Sequence, residues 1–236
     1  MSDAVAVFVI ARKDLLQELR SKATTVATVF FSGMTLFLMA FALGRDESLL
    51  VNSAPGVLWV AVVLAGVIAA AQNFQADLEE GAFEQLLTYP VARPAIYLGK
   101  LLANWLYLAV LALVLTPLAV VFYGASVSGI LAVAMLVAAL LLGTFGFAII
   151  ATFYAALTSN LQAREALLPV LMFPIVVPIL LAAVRASEAL FAGAGSAGTS
   201  GVADIALAGD WLLLLGGFDL VYFVICTALF HFVVDE

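Results

Sequence analysis

The chain has 236 residues, of which 66% are hydrophobic and only 11% are charged. An ordinary soluble domain is roughly half apolar and a quarter charged, so this composition excludes one and indicates a polytopic helical membrane protein. The net charge of −7 says little about partners, because the orientation of a membrane protein follows its lysine and arginine positions. The lone Cys226 excludes an internal disulfide and a cysteine-based metal site.

Residues 3–22 form the first predicted element, an amphipathic helix. Apolar side chains approximate one face, and charged side chains lie around the rest. Besides Asp3 at its start, the charged residues are Arg12, Lys13, Asp14, Glu18, Arg20 and Lys22. A basic amphipathic helix lies in the interface plane of a membrane, so we expect an interfacial helix here. The alternative is a polar tail that only sets the topology.

Six apolar runs follow, and each is long enough to cross a hydrocarbon core, for which about 17–25 helical residues suffice. The runs are residues 26–43, 57–74, 98–122, 130–156, 167–184 and 211–234. In the fourth run, Gly143 and Gly146 either bend the helix or let a neighbouring helix approach closely. In the fifth, three prolines predict a kink and make this span a candidate dimer interface or moving element. These are Pro169, Pro174 and Pro178.

The polar stretch of residues 75–100, between the second and third runs, predicts a short helix over about residues 77–88. Asp77 is a good N-cap, Glu80 completes a capping box, and Pro90 ends the helix. A helix of about three turns cannot cross a membrane, so it should lie across the cytoplasmic mouth and dock a partner. The residues predicted to make that contact are Asp77, Glu80, Phe83, Glu84, Gln85 and Leu86. The alternative is a helix that only covers the lipid headgroups.

The basic residues predict the orientation of the spans. Seven fall on one side, namely Arg12, Lys13, Arg20, Lys22, Arg93, Lys100 and Arg164. Arg45 and Arg185 fall on the other side. Because basic residues are retained in the cytoplasm, both termini are expected there, and the flexible loop Gly193–Gly201 is expected outside.

Two titratable residues in the sixth run are candidates for chemistry. A charged carboxylate such as Asp219 costs about 2.5–3.5 kcal/mol at bilayer depth on insertion scales. We therefore expect Asp219 near the outer interface, satisfied by a neighbouring helix or water, with proton exchange or substrate contact as the alternative. His231 is the only histidine, and we expect it to reach the interface rather than to ligate haem iron. The polar residues Gln72, Asn73, Gln75 and Asn104 are expected to form hydrogen bonds between helices.

An ordered set of short motifs runs along the chain. It comprises Pro55-Gly56-Val57-Leu58-Trp59-Val60, Asp77, Gly81, Glu84-Gln85-Leu86, Pro90, Lys100 with Trp105, Thr116-Pro117-Leu118, Leu168-Pro169, Pro174 and Pro178. This set resembles the signature of the CcmB family, the membrane permease subunit of an ABC-type cytochrome c maturation system. The likeness covers residues 50–120 and 165–185, and both ends match only by hydropathy. It implies one all-α permease domain over residues 1–236, similar to ABC-2 (type V) exporters, with six transmembrane helices, an N-terminal elbow helix and a cytoplasmic coupling helix.

The resemblance also implies partners. They are a cytoplasmic CcmA-like ATPase, CcmC-like and CcmD-like membrane subunits, a CcmE-like haem chaperone and a second copy of this chain. The chain has no G-x-x-x-x-G-K-[ST] motif, so ATP is expected on the ATPase, with haem as a candidate substrate and no cofactor on this chain. The implied function is ATP-driven haem translocation, or haem release from the chaperone, at the bacterial inner membrane. The alternatives are a general exporter of lipid, saccharide or drug, and a non-transporting membrane scaffold.

Overall fold

The computed structural model describes residues 3–20, 22–44, 46–79, 92–158, 164–193 and 202–234. The helices are α1 (Asp3–Arg20), α2 (Lys22–Leu43), α3 (Glu47–Glu79), α4 (Arg93–Tyr123), α5 (Ile130–Thr158), α6 (Arg164–Leu190) and α7 (Val202–Val234), with short strands β1 (Ala125–Ser126) and β2 (Ala192–Gly193). Within these ranges, α2 to α7 are the six helices that are long and apolar enough to cross a membrane. The predicted all-α, six-span architecture is confirmed.

Most spanning helices extend well beyond their apolar runs, because the flanking residues supply helix-starting chemistry. Before α3, one carboxylate oxygen of Asp46 accepts hydrogen bonds from the backbone N–H groups of Ser48 at 3.0 Å and Leu49 at 3.2 Å. These bonds cap the first turn. A hydrogen bond from the Ser48 hydroxyl, together with the two backbone bonds, lowers the pKa of Asp46. Helix α4 starts with Pro94 in its first turn, where a missing N–H costs nothing.

The helices alternate in direction, so the bundle has two distinct ends. At one end, the Tyr97 hydroxyl near the start of α4 donates to the Ile149 carbonyl late in α5, at 2.9 Å. At the other, the Tyr123 hydroxyl at the close of α4 donates to the Leu36 carbonyl late in α2, at 3.1 Å. Strands β1 and β2 pair antiparallel at this second end. We call the two ends the α1 end and the β end.

The core of the bundle lies around α3 and α5. These two helices are the most buried of the six spans, whereas α2 and α7 lie largely at the periphery with exposed apolar side chains. A Cβ added to Gly143 in α5 would clash with the indole ring of Trp59 in α3. The predicted close approach of a neighbouring helix at this glycine is therefore confirmed, and it lets the large Trp59 ring be fully buried.

Helix α1 packs along the first turns of α4 through small and apolar residues. Ala6, Ile10 and Ala11 are buried there, and a Cβ on Gly99 would lie 2.7 Å from the Ile10 side chain. The predicted helix is present, with Phe8 among its exposed apolar residues. Its inner face packs against α4, a contact that the amphipathic pattern did not predict.

The structure corrects the expected role of Asp77. Helix α3 continues without a break through Asp77 to Glu79, so Asp77 lies inside a helix and not at the start of a new one. After Gly66, helix α3 contains no further glycine or proline. The Gln, Ala, Leu and Glu residues near its end are good helix formers, so the helix continues to Glu79. The remainder of the predicted coupling helix lies outside the described residues.

Candidate functional site

A buried ion pair joins α1 to α4 at the α1 end. Lys100 Nζ donates to Asp14 Oδ2 at 3.4 Å, and the two residues are only 1% and 2% exposed. Lys13 Nζ approaches the other oxygen, Asp14 Oδ1, at 3.1 Å, in a charge contact that lacks hydrogen-bond geometry. The side chain of Lys13 is 40% exposed. Lys100 is thus the buried cation that neutralises Asp14, and Lys13 adds a solvent-screened contribution.

The structure corrects the placement of Asp14, which the sequence pattern assigned to the exposed polar face. Asp14 follows Ala6 and Ile10 at intervals of four residues, so it shares their face and turns inward with them. A stripe of small and apolar residues that leads to a carboxylate was the available signal. The sequence analysis did not use this stripe, because the amphipathic pattern on the other face of the helix is stronger.

A small polar cavity adjoins this ion pair. Besides Asp14, its lining includes Glu18 of α1 and Asn104 and Tyr107 of α4, and its volume of about 10 Å³ is close to what one water molecule needs. Burial and the nearby Asp14 carboxylate raise the pKa of Glu18. Asn104 Nδ2 donates to Thr152 Oγ1 of α5 at 3.2 Å, which confirms the predicted interhelical hydrogen bond at Asn104. The cavity is a polar junction among several helices.

The position of the ion pair relates it to the predicted docking segment. Residues 80–91 connect the end of α3 to the start of α4, and Lys100 lies two turns into α4. Helix α1 is fastened to these same turns by the ion pair and by the Gly99–Ile10 contact. The predicted docking segment therefore leads directly into the turns of α4 that contact α1.

The second polar feature lies in the middle of the bundle, at Asp219. This carboxyl is 3% exposed, and neither of its oxygens has a hydrogen-bond partner among the described residues. It faces Gly146 of α5, where an added Cβ would clash with Asp219 and would also approach Ile179 of α6. Here too a glycine of the fourth span allows close approach, as predicted.

The sequence predicted Asp219 near the outer interface, satisfied by a neighbouring helix or by water, and no described residue of a neighbouring helix forms a hydrogen bond with it. Helix α7 begins at Val202, whereas the predicted run begins at residue 211. The added turns place Asp219 near the midpoint of the spanning part of α7, which covers Asp204–Phe230. The apolar-run prediction left out these turns because Asp204 and Asp210 lower the mean hydropathy of residues 202–210.

Comparisons with known proteins agree with this architecture. A family model described as CcmB protein matches residues 5–233. The chain belongs to the CcmB family. Proteins named heme exporter protein B are 30% identical over 179 residues in Pseudomonas aeruginosa and 31% identical over 180 residues in Haemophilus influenzae. The match covers 76% of this chain in both cases, and 79% and 80% of those relatives. The Bradyrhizobium diazoefficiens protein of the same name is 30% identical over 193 residues, which cover 82% of this chain and 86% of the relative.

Several motif residues that carry the resemblance to the CcmB family prove to join helices. Trp59 Nε1 donates to the Ser187 hydroxyl of α6 at 3.0 Å. Trp105 Nε1 donates to the Leu141 carbonyl of α5 at 3.0 Å. Lys100 anchors α1, as described above. These motif residues therefore hold the CcmB-family bundle together, and the structure assigns them no chemical step.

The remaining predicted site residues fall largely outside the described part of the chain. Of the six proposed docking residues, Asp77 is in α3, and Glu80, Phe83, Glu84, Gln85 and Leu86 lie in residues 80–91. His231 lies in the last turn of α7, and its side chain is outside the described set. Among the described residues, no group of three or more His, Cys, Asp or Glu side chains is placed to hold a metal ion.

Proposed function

We propose that this chain is the membrane permease subunit of an ABC transporter that acts in haem delivery for c-type cytochrome biogenesis. The observation that carries the proposal is the match of the CcmB family model to residues 5–233 of a six-span helical bundle. The names of the similar proteins support a haem substrate. The permease is not itself an enzyme, and the sequence contains no phosphate-binding loop. ATP would be hydrolysed by a separate CcmA-like subunit.

In this proposal, the ATPase docks at the α1 end, which is the cytoplasmic end of the bundle in the bacterial inner membrane. The acidic and apolar residues of the 80–91 segment supply the contact, with Phe83 as an apolar anchor and Glu84 as a charged one. Movement of this segment passes into α4, with which it is continuous. The buried Asp14–Lys100 pair makes α1 follow α4, so that both helices move as one unit.

The moving unit would act on haem in one of two ways. Haem crosses between two copies of this chain, or ATP drives the release of haem from a CcmE-like chaperone on the far side. We favour release, because histidine is a common protein ligand of haem iron and this chain has a single histidine, His231. CcmC-like and CcmD-like subunits would then handle the haem itself.

The experiment that tests the proposal replaces the native CcmB-family permease of a bacterium with this chain, expressed with its own partner genes. Restored covalent haem in c-type cytochromes, together with an ATPase that copurifies with the chain, is the expected result. Copurification without any change in cytochrome c would instead favour a general exporter. Absence of any ATPase from the purified complex would favour a non-transporting scaffold.

Docking at residues 80–91 is tested by two substitutions and one matched control. Phe83→Ala removes an apolar anchor, whose loss at an interface costs at least about 2 kcal/mol, or roughly thirtyfold in affinity. Glu84→Lys reverses a charge, which costs about 2–5 kcal/mol at a desolvated interface and at most about 1 kcal/mol at an exposed one. Glu188→Lys makes the same reversal in an exposed residue at the β end. Equal ATPase recovery with all three variants would contradict docking at this segment.

A further inference from the structure

The Asp219 carboxyl lies in a buried site where no described residue offers it a hydrogen bond. It is buried at the contact of α5, α6 and α7, near the midpoint of the membrane-spanning segment, and both of its oxygens lack hydrogen-bond partners among the described residues. The facing residue is Gly146, where an added Cβ would clash with the carboxyl in its present position. The site is therefore shaped around this side chain.

Among the described side chains of the helices packed against Asp219, no ionised group is placed as a counter-charge. Residues 130–158 of α5 contain no Asp, Glu, Lys, Arg or His. On α6, Arg185 is exposed at the β end and pairs with Glu188 at 2.8 Å. On α4, Lys100 pairs with Asp14 at the α1 end. Arg93 and Arg164 are the first residues of α4 and α6, and Arg164 comes fifteen residues, about four turns, before Ile179. The other titratable groups of the described part of α7 are acids, a cysteine or a tyrosine, apart from His231 in its last turn, and Tyr154 of α5 is two turns from Gly146.

An ionised carboxylate in such a place loses its hydration without gaining a partner, and a buried group in that position takes up a proton instead. We propose that Asp219 is a proton-binding site within the membrane domain, and that the carboxylic acid seated against Gly146 is its occupied form. The reaction is the association of one proton with one carboxylate. It requires no other reactant.

Proton release requires that the carboxylate reach water, because the packed site offers the ionised carboxylate neither a hydrogen-bond donor nor a counter-charge among the described residues. Helices α5 and α6 cover the carboxyl, so α7 has to move away from at least one of them near Gly146 for the proton to leave. Linkage is reciprocal: a bound proton favours the packed arrangement, and separation of the helices favours release. A transport cycle that moves α7 relative to α5 would therefore bind and release a proton at this residue.

The test uses carbodiimides on native membranes that contain the full complex. A carbodiimide reacts with a protonated carboxylic acid: the acid proton moves to a carbodiimide nitrogen, the carboxyl oxygen adds to the central carbon, and rearrangement leaves a stable N-acylurea. Hydrophobic dicyclohexylcarbodiimide at neutral pH should modify Asp219, as detected by mass spectrometry of the peptides. The matched control is Asp210, an exposed residue of the same helix, which should remain unmodified. Asp219→Asn should abolish the adduct.

Infrared spectroscopy of the purified complex gives a readout that does not depend on reagent access. A protonated carboxylic acid has a C=O band that an ionised carboxylate lacks, and Asp219→Asn should remove one such band at neutral pH. Asp219→Asn, a neutral side chain of the same shape, should also accumulate to wild-type levels. Absence of a lost band would overturn the proposal, as would modification of Asp219 by a water-soluble carbodiimide but not by the hydrophobic one. Poor accumulation of Asp219→Asn with normal accumulation of Asp219→Glu would also overturn it, because that pattern requires the charged form.

Discussion

The ion pair between α1 and α4 permits a quantitative prediction from its burial. In Lys100→Met, the Asp14 carboxylate stays buried at 2% exposure and loses its buried cation. Breaking a buried pair by removing one partner costs about 3–5 kcal/mol, and the long 3.4 Å separation places this pair at the lower end. A loss of about 3 kcal/mol reduces the ratio of folded to unfolded protein by roughly a hundredfold.

The matched control makes the same substitution at the other lysine that contacts Asp14. Lys13 is 40% exposed, so its contribution is screened by water, and Lys13→Met should cost at most about 1 kcal/mol. The double variant Asp14→Leu/Lys100→Met removes both buried charges. It should recover most of the stability lost by Lys100→Met, because replacing a buried pair with apolar residues is often neutral.

The assay is thermal unfolding of the purified protein in mild detergent. The quantity measured is the amount of protein that remains monodisperse after heating. Single and double variants together form a cycle. Its coupling energy should be at least about 2 kcal/mol, because the double variant should lose far less stability than the two single variants added together. Equal losses for Lys100→Met and Lys13→Met would refute the burial argument. So would additivity of Asp14→Leu and Lys100→Met within about 0.5 kcal/mol.

Three further predictions concern α5, α3 and the topology. Gly146→Ala should cost about 1–3 kcal/mol because the added methyl clashes with Asp219, whereas Gly216→Ala, where an added Cβ meets nothing, should be neutral or stabilising in the same thermal assay. Asp77→Ala should leave stability unchanged or raise it by up to about 0.7 kcal/mol, because alanine is the better residue inside a helix; a loss of about 1 kcal/mol would restore the N-cap interpretation. A reporter fused after Glu236 should indicate the cytoplasm and one within Gly193–Gly201 the exterior, and opposite locations for the two protein termini would contradict six spans.

Residues with a regular pattern were predictable. The six spans and the helix over residues 3–20 follow from hydropathy and periodicity, since lipid requires every backbone group to be paired within a helix. The ordered motifs identified the family, and close approach of a neighbouring helix was one of the two roles predicted for Gly143 and Gly146. These inferences depend on local composition and spacing, and both are visible in a single sequence.

The individual ionisable residues were not predictable in the same way. Asp14 and Lys100 are 86 residues apart in the chain, so their pairing depends on how α1 crosses α4. The depth of Asp219 depends on where α7 begins and on which residue of α5 faces it. A buried charge is tolerated or protonated according to its neighbours in space, and those neighbours come from other helices. The sequence alone therefore determined the number and nature of the membrane helices, while only their packing decided which charged side chains are paired, buried or left without a partner.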